Sequence, residues 1–445
     1  MKKDFILTIA GGGSTYTPGI VKSLLLNKEN FKLRELRMYD IDKERQEKVA
    51  VVVQKVIEQM DPELKLILTT DPKTAFENSD FIFAQMRVGK YQMREFDEKI
   101  PLKHGAVGQE TCGAGGMAYG LRTIYPMVEL IDYVEKYASP DHWIVNYSNP
   151  AAIVAEAIRR LRPNSRVLNI CDMPVGTMRN MATILNCDRN DLTVEYFGLN
   201  HFGWFTKVYV DGVDRLPEII AHTKEHGLLV ADMTKVDQQH SDPSWLKTYG
   251  NIKYLVNMFD DYIPNPYIQY YLLSDYIVEN SNKERTRANE VMEGREKKLF
   301  DAVDKYLKTN EMDLDSFYVG VHGQFIVDVA MSLAFDLRKR FLVIVENNGA
   351  IKNLPDDAMV EVPAYITNTG PEAIVVGEIP EFYKGLMEQQ LASEKCLVDA
   401  AIENSYSKAL KAFTMNKTIK DAFQAKKILD EMIEANKDYW PELKK

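Results

Sequence analysis

The chain is poor in cysteine, with four in 445 residues, at positions 112, 171, 187 and 396, and no two of them share a CxxC spacing. That pattern excludes a disulfide framework and a zinc ribbon, and it fits a reducing compartment. Nor does any run approach the ~20 apolar residues that a membrane helix needs. The N-terminal MKKDFILTIAGGG carries two lysines and an apolar stretch, yet it reaches glycines too soon for a secretory signal. A soluble cytoplasmic protein is the expectation. An excess of basic residues is missing too: 65 acidic against 55 basic residues give a formal charge of −10, which argues against nucleic acid or a membrane surface as partner. A small phosphorylated ligand stays open, because one anion is recognised by a few local arginines. Repeats and low-complexity linkers are absent as well, and 45% hydrophobic residues suffice to bury the core of two closely packed domains.

What is present is an alternation of short apolar runs with amphipathic stretches. FILTIA (5–10), LRELRMYD (33–40), LKLILTT (64–70), DFIFAQM (80–86), HWIVNYS (142–148) and SRVLNIC (165–171) predict six strands. KERQEKVAVVVQKVIEQM and AIVAEAIRRL have apolar residues at helical spacing and suit crossover helices. The fold class this implies is α/β, with a doubly wound, Rossmann-type parallel sheet over residues 1–195. Over 196–445 the pattern changes to aromatic-rich strands, such as VEYFGLNHFGWFTKVYV, mixed with long helices, which reads as an α+β domain.

Several motifs carry chemistry. AGGGSTYTPG (10–19) follows the first strand and opens a helix, with Gly11 and Gly13 in the first two glycine positions of a dinucleotide fingerprint and Tyr16 in the third. A strand-to-helix turn without a ligand would use the same glycines. Asp40 closes the second strand, where an acidic residue binds ribose hydroxyls, and the two features together point to NAD. In NICDMPVG (169–176), Cys171 alone reads as core filler, but the Asp172 carboxylate beside it needs a partner, a metal or a task. GLNHFGW (198–204) sets His201 in a glycine-bracketed turn, where a lone histidine is more often structural. Cys171 and His201 could form a mixed sulfur and nitrogen site, and their spacing leaves that open. VGQETCGAGG (107–116), with Glu110, is a cofactor cradle or, more simply, a flexible loop. NPYIQYY (265–271) clusters tyrosines that ordinarily pack, and one acts as a base only when a cation or metal lowers its pKa. TRANEVMEGRE (286–296) puts Arg287 near a helix start, where arginines are usually solvated.

In chain order, AGGGST, RVGKYQMR, GQETCG, NYSNPA, NICDMP, GLNHFGW, NPYIQYY, TRANEVMEGRE and IVENNGAI resemble the NAD- and metal-dependent glycosidases of glycoside hydrolase family four, over essentially the whole chain. The resemblance implies a second domain like the C-terminal domain of lactate and malate dehydrogenases, and a homodimer or homotetramer. It implies NAD, held by Gly11, Gly13, Ser14, Thr15 and Asp40, and Mn2+ or another divalent transition metal, held by Cys171 and His201. Asp172 matches the general acid, Tyr267 the base, and Glu110 a residue that raises the basicity of that tyrosine. Arg94, Asn149 and Arg287 match substrate contacts, the arginines suiting a phosphate. Members reading CDMP after the metal cysteine resemble 6-phospho-α-glucosidases, whereas CN marks 6-phospho-β-glucosidases. The implied reaction is hydrolysis of α-linked 6-phospho-glucosides such as maltose 6'-phosphate: oxidation at C3 by NAD, C2 deprotonation, elimination, water addition and re-reduction. The competing expectations are a 6-phospho-β-glucosidase, an NAD-dependent hydroxy-acid dehydrogenase, and a catalytically silent NAD sensor.

Overall fold

The computed structural model describes residues 4–230, 243–314, 317 and 320–444. Six strands, β1 (Phe5–Ala10), β2 (Leu33–Tyr39), β3 (Lys65–Thr69), β4 (Phe81–Ala84), β5 (Trp143–Asn146) and β6 (Val167–Asn169), lie side by side in the order 3-2-1-4-5-6, all parallel. Each expected apolar run supplies one of them. β1 and β4 are buried along their whole length, which is why FILTIA and FIFA are near-continuous apolar runs rather than alternating ones, the one polar residue, Thr8, donating its buried hydroxyl to Ala75 O at 2.6 Å. The stretch KERQEKVAVVVQKVIEQM forms the helix Lys43–Met60, capped by the Asp42 side chain, and its valines face the core.

The sheet continues through the second half of the chain. β7 (Thr193–Leu199), β8 (Phe202–Val210), β9 (Val213–Asp214), β10 (Ile263–Pro264), β11 (Lys339–Glu346), β12 (Met359–Thr367) and β13 (Gly370–Ala373) extend it. β11 joins antiparallel to β6, and the order then runs β12, β7, β8, β10, with β13 on β12 and β9 on β8. The two halves also share a core. Phe325, Ile326 and Val329 of the helix Gly320–Phe335 pack in one cluster with Ile20, Val21 and Leu24 of the helix Thr17–Leu26. Beyond the sheet, the C-terminal helices Glu381–Glu403, Tyr406–Met415 and Ala422–Ala435 form a helical layer against the helix Gly113–Tyr137.

VGQETCGAGG, expected as a flexible loop, is loop only as far as Cys112, and Gly113 begins that 25-residue helix. Backbone packs there where a side chain would not fit: a Cβ on Gly115 would lie 2.4 Å from the carbonyl oxygens of Asp97 and Gln109.

Glu394 is a buried acid of the helical layer and accepts a hydrogen bond from Gln390 Nε2 at 2.8 Å. Burial pushes its pKa from 4.5 up to about 8. The folded chain therefore keeps this proton to a higher pH than the unfolded chain does. The stability it contributes is full below pH 4.5 and is lost as pH rises toward about 8. Glu394→Gln, which keeps the acceptor and removes the titration, is expected to stabilise the protein on the order of 2 kcal/mol at about pH 8.5 and little at about pH 5. Thermal melts at the two pH values check this, and an equal shift at both would exclude the titration as the cause.

Candidate active site

Where the strand order reverses, between β1 and β4, the carboxyl ends of the strands open into a cavity of about 540 Å³. Of the residues singled out from the sequence, all but Thr15 line this one cavity. On its dinucleotide side, the Gly11 and Gly12 N–H groups both donate to Tyr39 O at 2.9 Å, which ties the glycine turn to the end of β2. Asp40 accepts hydrogen bonds from Gly13 N at 2.8 Å and Asp42 N at 2.9 Å. Thr15 Oγ1 is buried beside the helix start without a hydrogen-bond partner among the described residues, an orphan that an anionic ligand at this helix N-terminus would satisfy. Tyr16, in place of the third glycine, stands at the N-cap position of the helix Thr17–Leu26. The Arg295 guanidinium lies 4.5 Å from its ring centroid and donates to its hydroxyl. Arg295 belongs to a π-helical turn, Met292–Glu296, and the next residue, Glu296, pairs with Arg45, whose Nε donates to Gly13 O at 2.8 Å. The second half of the chain thus closes over the glycine loop.

At the other side, β6 ends at Asn169, so Cys171 and Asp172 lie beyond the strand, and Asp172 is the N-cap residue of the helix Met173–Leu185. The alternation of a strand no longer applies, and both side chains reach the cavity. His201 sits in the two-residue turn between β7 and β8 at φ 62°, a left-handed conformation uncommon outside glycine and frequent at functional sites. Its Nε2 is 3.3 Å from Cys171 Sγ. Burial lowers the His201 pKa to about 4 against the opposing pull of Asp172 and Glu110, so the ring is neutral at physiological pH, as a metal ligand must be. Burial pushes the Cys171 thiol up, the Glu361 and Asp172 carboxylates add to the rise, and the Met173 N–H and Asn200 side chain oppose it. A bound cation is what would release that proton. One sulfur and one imidazole suit a divalent transition ion. No group of three or more His, Cys, Asp and Glu residues gathers around a metal position among the described residues, so an ion on this pair would keep positions open for ligand oxygens.

Tyr267, the N-cap residue of the helix Ile268–Leu272, packs its ring against that of His201, with centroids 4.2 Å apart and planes tilted by 42°, and the Trp245 ring lies 6.0 Å away. Burial raises its pKa well above 10, with neighbouring Tyr270, Cys112 and Glu110 adding to the rise. Only an adjacent cation would make it a base near neutral pH. Glu110 is clamped by Arg87 at 2.5 Å and Arg94 at 3.0 Å. Burial alone would raise its pKa, but the two guanidinium groups hold it at about 2. Arg94 Nε also donates to Glu98 Oε1 at 2.7 Å, while Glu98 Oε2 accepts Ala288 N at 2.7 Å. Buried Glu98 therefore anchors the helix Arg287–Val291 beside Arg94, and Arg287 pairs with Glu290 at 2.9 Å. Asn149, just past β5, lines the same wall.

Sequence reading passed over Arg87 and Arg295, although RVGKYQMR and TRANEVMEGRE contain them. It also passed over Glu98 and Trp245, which stand in no motif.

A parallel sheet with a glycine turn at its switch point, and a buried sulfur and imidazole pair in the same crevice, define a dinucleotide-fold protein with a metal-type site. Residues 6–187 match the family 4 glycosyl hydrolase model and residues 196–419 the family 4 glycosyl hydrolase C-terminal domain, and the chain belongs to this family. It is 51% identical over 444 residues to the maltose-6'-phosphate glucosidase of Fusobacterium mortiferum, covering 99% of this chain and 100% of that protein. A solved 6-phospho-α-glucosidase from gut microorganisms, in complex with NAD and glucose 6-phosphate, superposes with a TM-score of 0.97 at 56% identity, covering 99% of this chain and 100% of its own. A second, in complex with NAD and Mn2+, gives 0.93 at 48% identity with the same coverage.

Proposed function

We propose that the chain is an NAD- and divalent-metal-dependent 6-phospho-α-glucosidase, hydrolysing α-linked 6-phospho-glucosides such as maltose 6'-phosphate to glucose 6-phosphate and the released sugar. The observation that carries this reading is the placement of Asp172 directly beside the Cys171 and His201 pair, with Tyr267 packed against His201 in one cavity. Gly11, Gly13, Ser14, Thr15 and Asp40 would hold NAD, and Cys171 and His201 the metal. When bound, NAD supplies reversible hydride exchange with the sugar C3, and the metal supplies Lewis-acid polarisation of the C2 and C3 oxygens.

The protein's own groups do the rest. Tyr267 Oη removes the C2 proton, its basicity raised by the fixed negative charge of Glu110. Asp172 delivers a proton to the departing glycosidic oxygen, so that no alkoxide has to leave. Water adds to the resulting double bond, and the reaction closes without net redox change, a departure from the two-carboxylate scheme of most glycosidases. Arg94, Asn149 and Arg287 contact the substrate, the two arginines suiting its 6-phosphate. Residues 1–195 form the NAD-binding domain and 196–445 the domain that completes the substrate site and joins subunits, in a cytoplasmic homodimer or homotetramer.

Paired α- and β-linked nitrophenyl glucoside 6-phosphates, assayed with and without Mn2+ and NAD, test the reading. Nitrophenol release from the α-linked substrate, dependent on both additions and without accumulating NADH, is the expected result. Preference for the β-linked substrate would replace the α assignment, and net NADH would point to a dehydrogenase. In deuterated water the glucose 6-phosphate formed is expected to carry deuterium at C2, read by mass spectrometry. An unlabelled product would rule out Tyr267 as a C2 base and favour direct displacement.

A further inference from the structure

Glu361 lies within β12, opposite Gly198 of β7 and Ile344 of β11, and it is fully buried. It does not line the cavity, so no step of the sugar chemistry touches it. An apolar side chain would fill a sheet interior with less desolvation, so a carboxylate here calls for a reason. Its oxygens take two neutral donors, Tyr196 Oη at 2.8 Å and Asn200 Nδ2 at 3.1 Å. The space for the first is made by Gly203, since a Cβ at that position would come within 2.2 Å of the Tyr196 hydroxyl. The second donor matters more. Asn200 directly precedes His201, whose Nε2 lies 3.3 Å from Cys171 Sγ. The buried carboxylate therefore holds, through one amide, the two-residue turn that carries the imidazole of the pair.

We infer that Glu361 is a positioning residue for the metal pair: it fixes the Asn200 amide, and with it the turn that carries His201, so that the imidazole is held against the Cys171 sulfur in ligating orientation. Partners that orient metal ligands from behind typically change metal affinity ten- to a hundred-fold when removed, about as much as many ligand contacts do. The inference rests on the assignment of Cys171 and His201 as metal ligands. Glutamine at 361 has nearly the same shape but offers one carbonyl oxygen to two donors, and its own N–H groups then face a donor.

Mn2+ binding to the full-length, NAD-saturated protein, followed by electron paramagnetic resonance of the free ion, is measured for wild type, Glu361→Gln, Asn200→Ala, the double variant and Cys171→Ser, with melting temperatures recorded alongside. Glu361→Gln and Asn200→Ala are each expected to weaken Mn2+ about 10- to 100-fold, and the double variant no more than Asn200→Ala alone, because both cut the same chain of contacts. A Co2+-substituted wild type should show a thiolate-to-metal absorption band that shifts in Glu361→Gln, a change that loss of packing alone would not produce. A folded Glu361→Gln protein with wild-type Mn2+ affinity overturns the inference. If Glu361→Gln fails to fold, Asn200→Ala decides by the same criterion. Lost binding in Cys171→Ser with full binding in the other variants defeats the inference alone, whereas full binding in every variant defeats the metal assignment with it.

Discussion

Cys171→Ser and His201→Asn are each expected to lower Mn2+-dependent turnover about 10³-fold or more while leaving NAD binding intact. A Lewis acid on the reacting oxygens contributes several kcal/mol, and each 1.36 kcal/mol is a factor of ten. The pair has no spare member, since no third His, Cys, Asp or Glu forms a ligand group with it among the described residues. Serine keeps the volume of Cys171 and loses the sulfur that deprotonates on metal binding. Asparagine is the better replacement for His201, because it tolerates the left-handed conformation that the turn imposes at φ 62°, where alanine would add backbone strain of about 1 kcal/mol or more. Cofactor affinity is the control, because Gly11, Gly13 and Asp40 stand at the ends of β1 and β2, on another part of the cavity wall. Titrating activity against Mn2+ and measuring bound metal after gel filtration checks both variants. Activity within about tenfold of wild type would remove the residue from the metal site.

Asp172→Asn should lower turnover about 10²- to 10⁴-fold on a disaccharide phosphate and far less on an aryl glucoside phosphate. A sugar leaves as a strongly basic alkoxide unless protonated, whereas a nitrophenolate departs unaided, so the loss depends on the leaving group only if Asp172 is the acid. Position supports this role. Asp172 is the N-cap residue of a helix whose start faces the cavity, and its neighbour Cys171 contacts His201, so this carboxylate stands beside the sulfur and imidazole pair. Steady-state rates on both substrates make the comparison, and equal losses on the two would assign Asp172 to structure instead.

The first six strands and their parallel arrangement were legible because period and composition act locally: a strand buried on both faces is apolar over most of its length, and the glycine turn and Asp40 stand at chain positions the motif prescribes. The meeting of Cys171 with His201 was not legible. β6 reaches β7 only through β11 and β12, strands that come more than a hundred residues later, and pairing at that separation leaves no trace in local spacing. Glu98 and Glu361 were invisible for a related reason. An acidic residue in an amphipathic helix or a strand reads as a solvated one, and only packing from distant segments shows that both are buried and bonded.

By itself, then, the sequence determined the doubly wound first half, the glycine turn, the ordered motifs and the family they resemble, since each of these is written in local pattern. Tertiary structure alone decided that a cysteine and a histidine thirty positions apart touch, that Arg87 and Arg94 hold Glu110 ionised, and that a buried carboxylate stands behind the Asn200 amide. These are effects of desolvation and distance, and both come into being only when the sheet closes across the two halves of the chain.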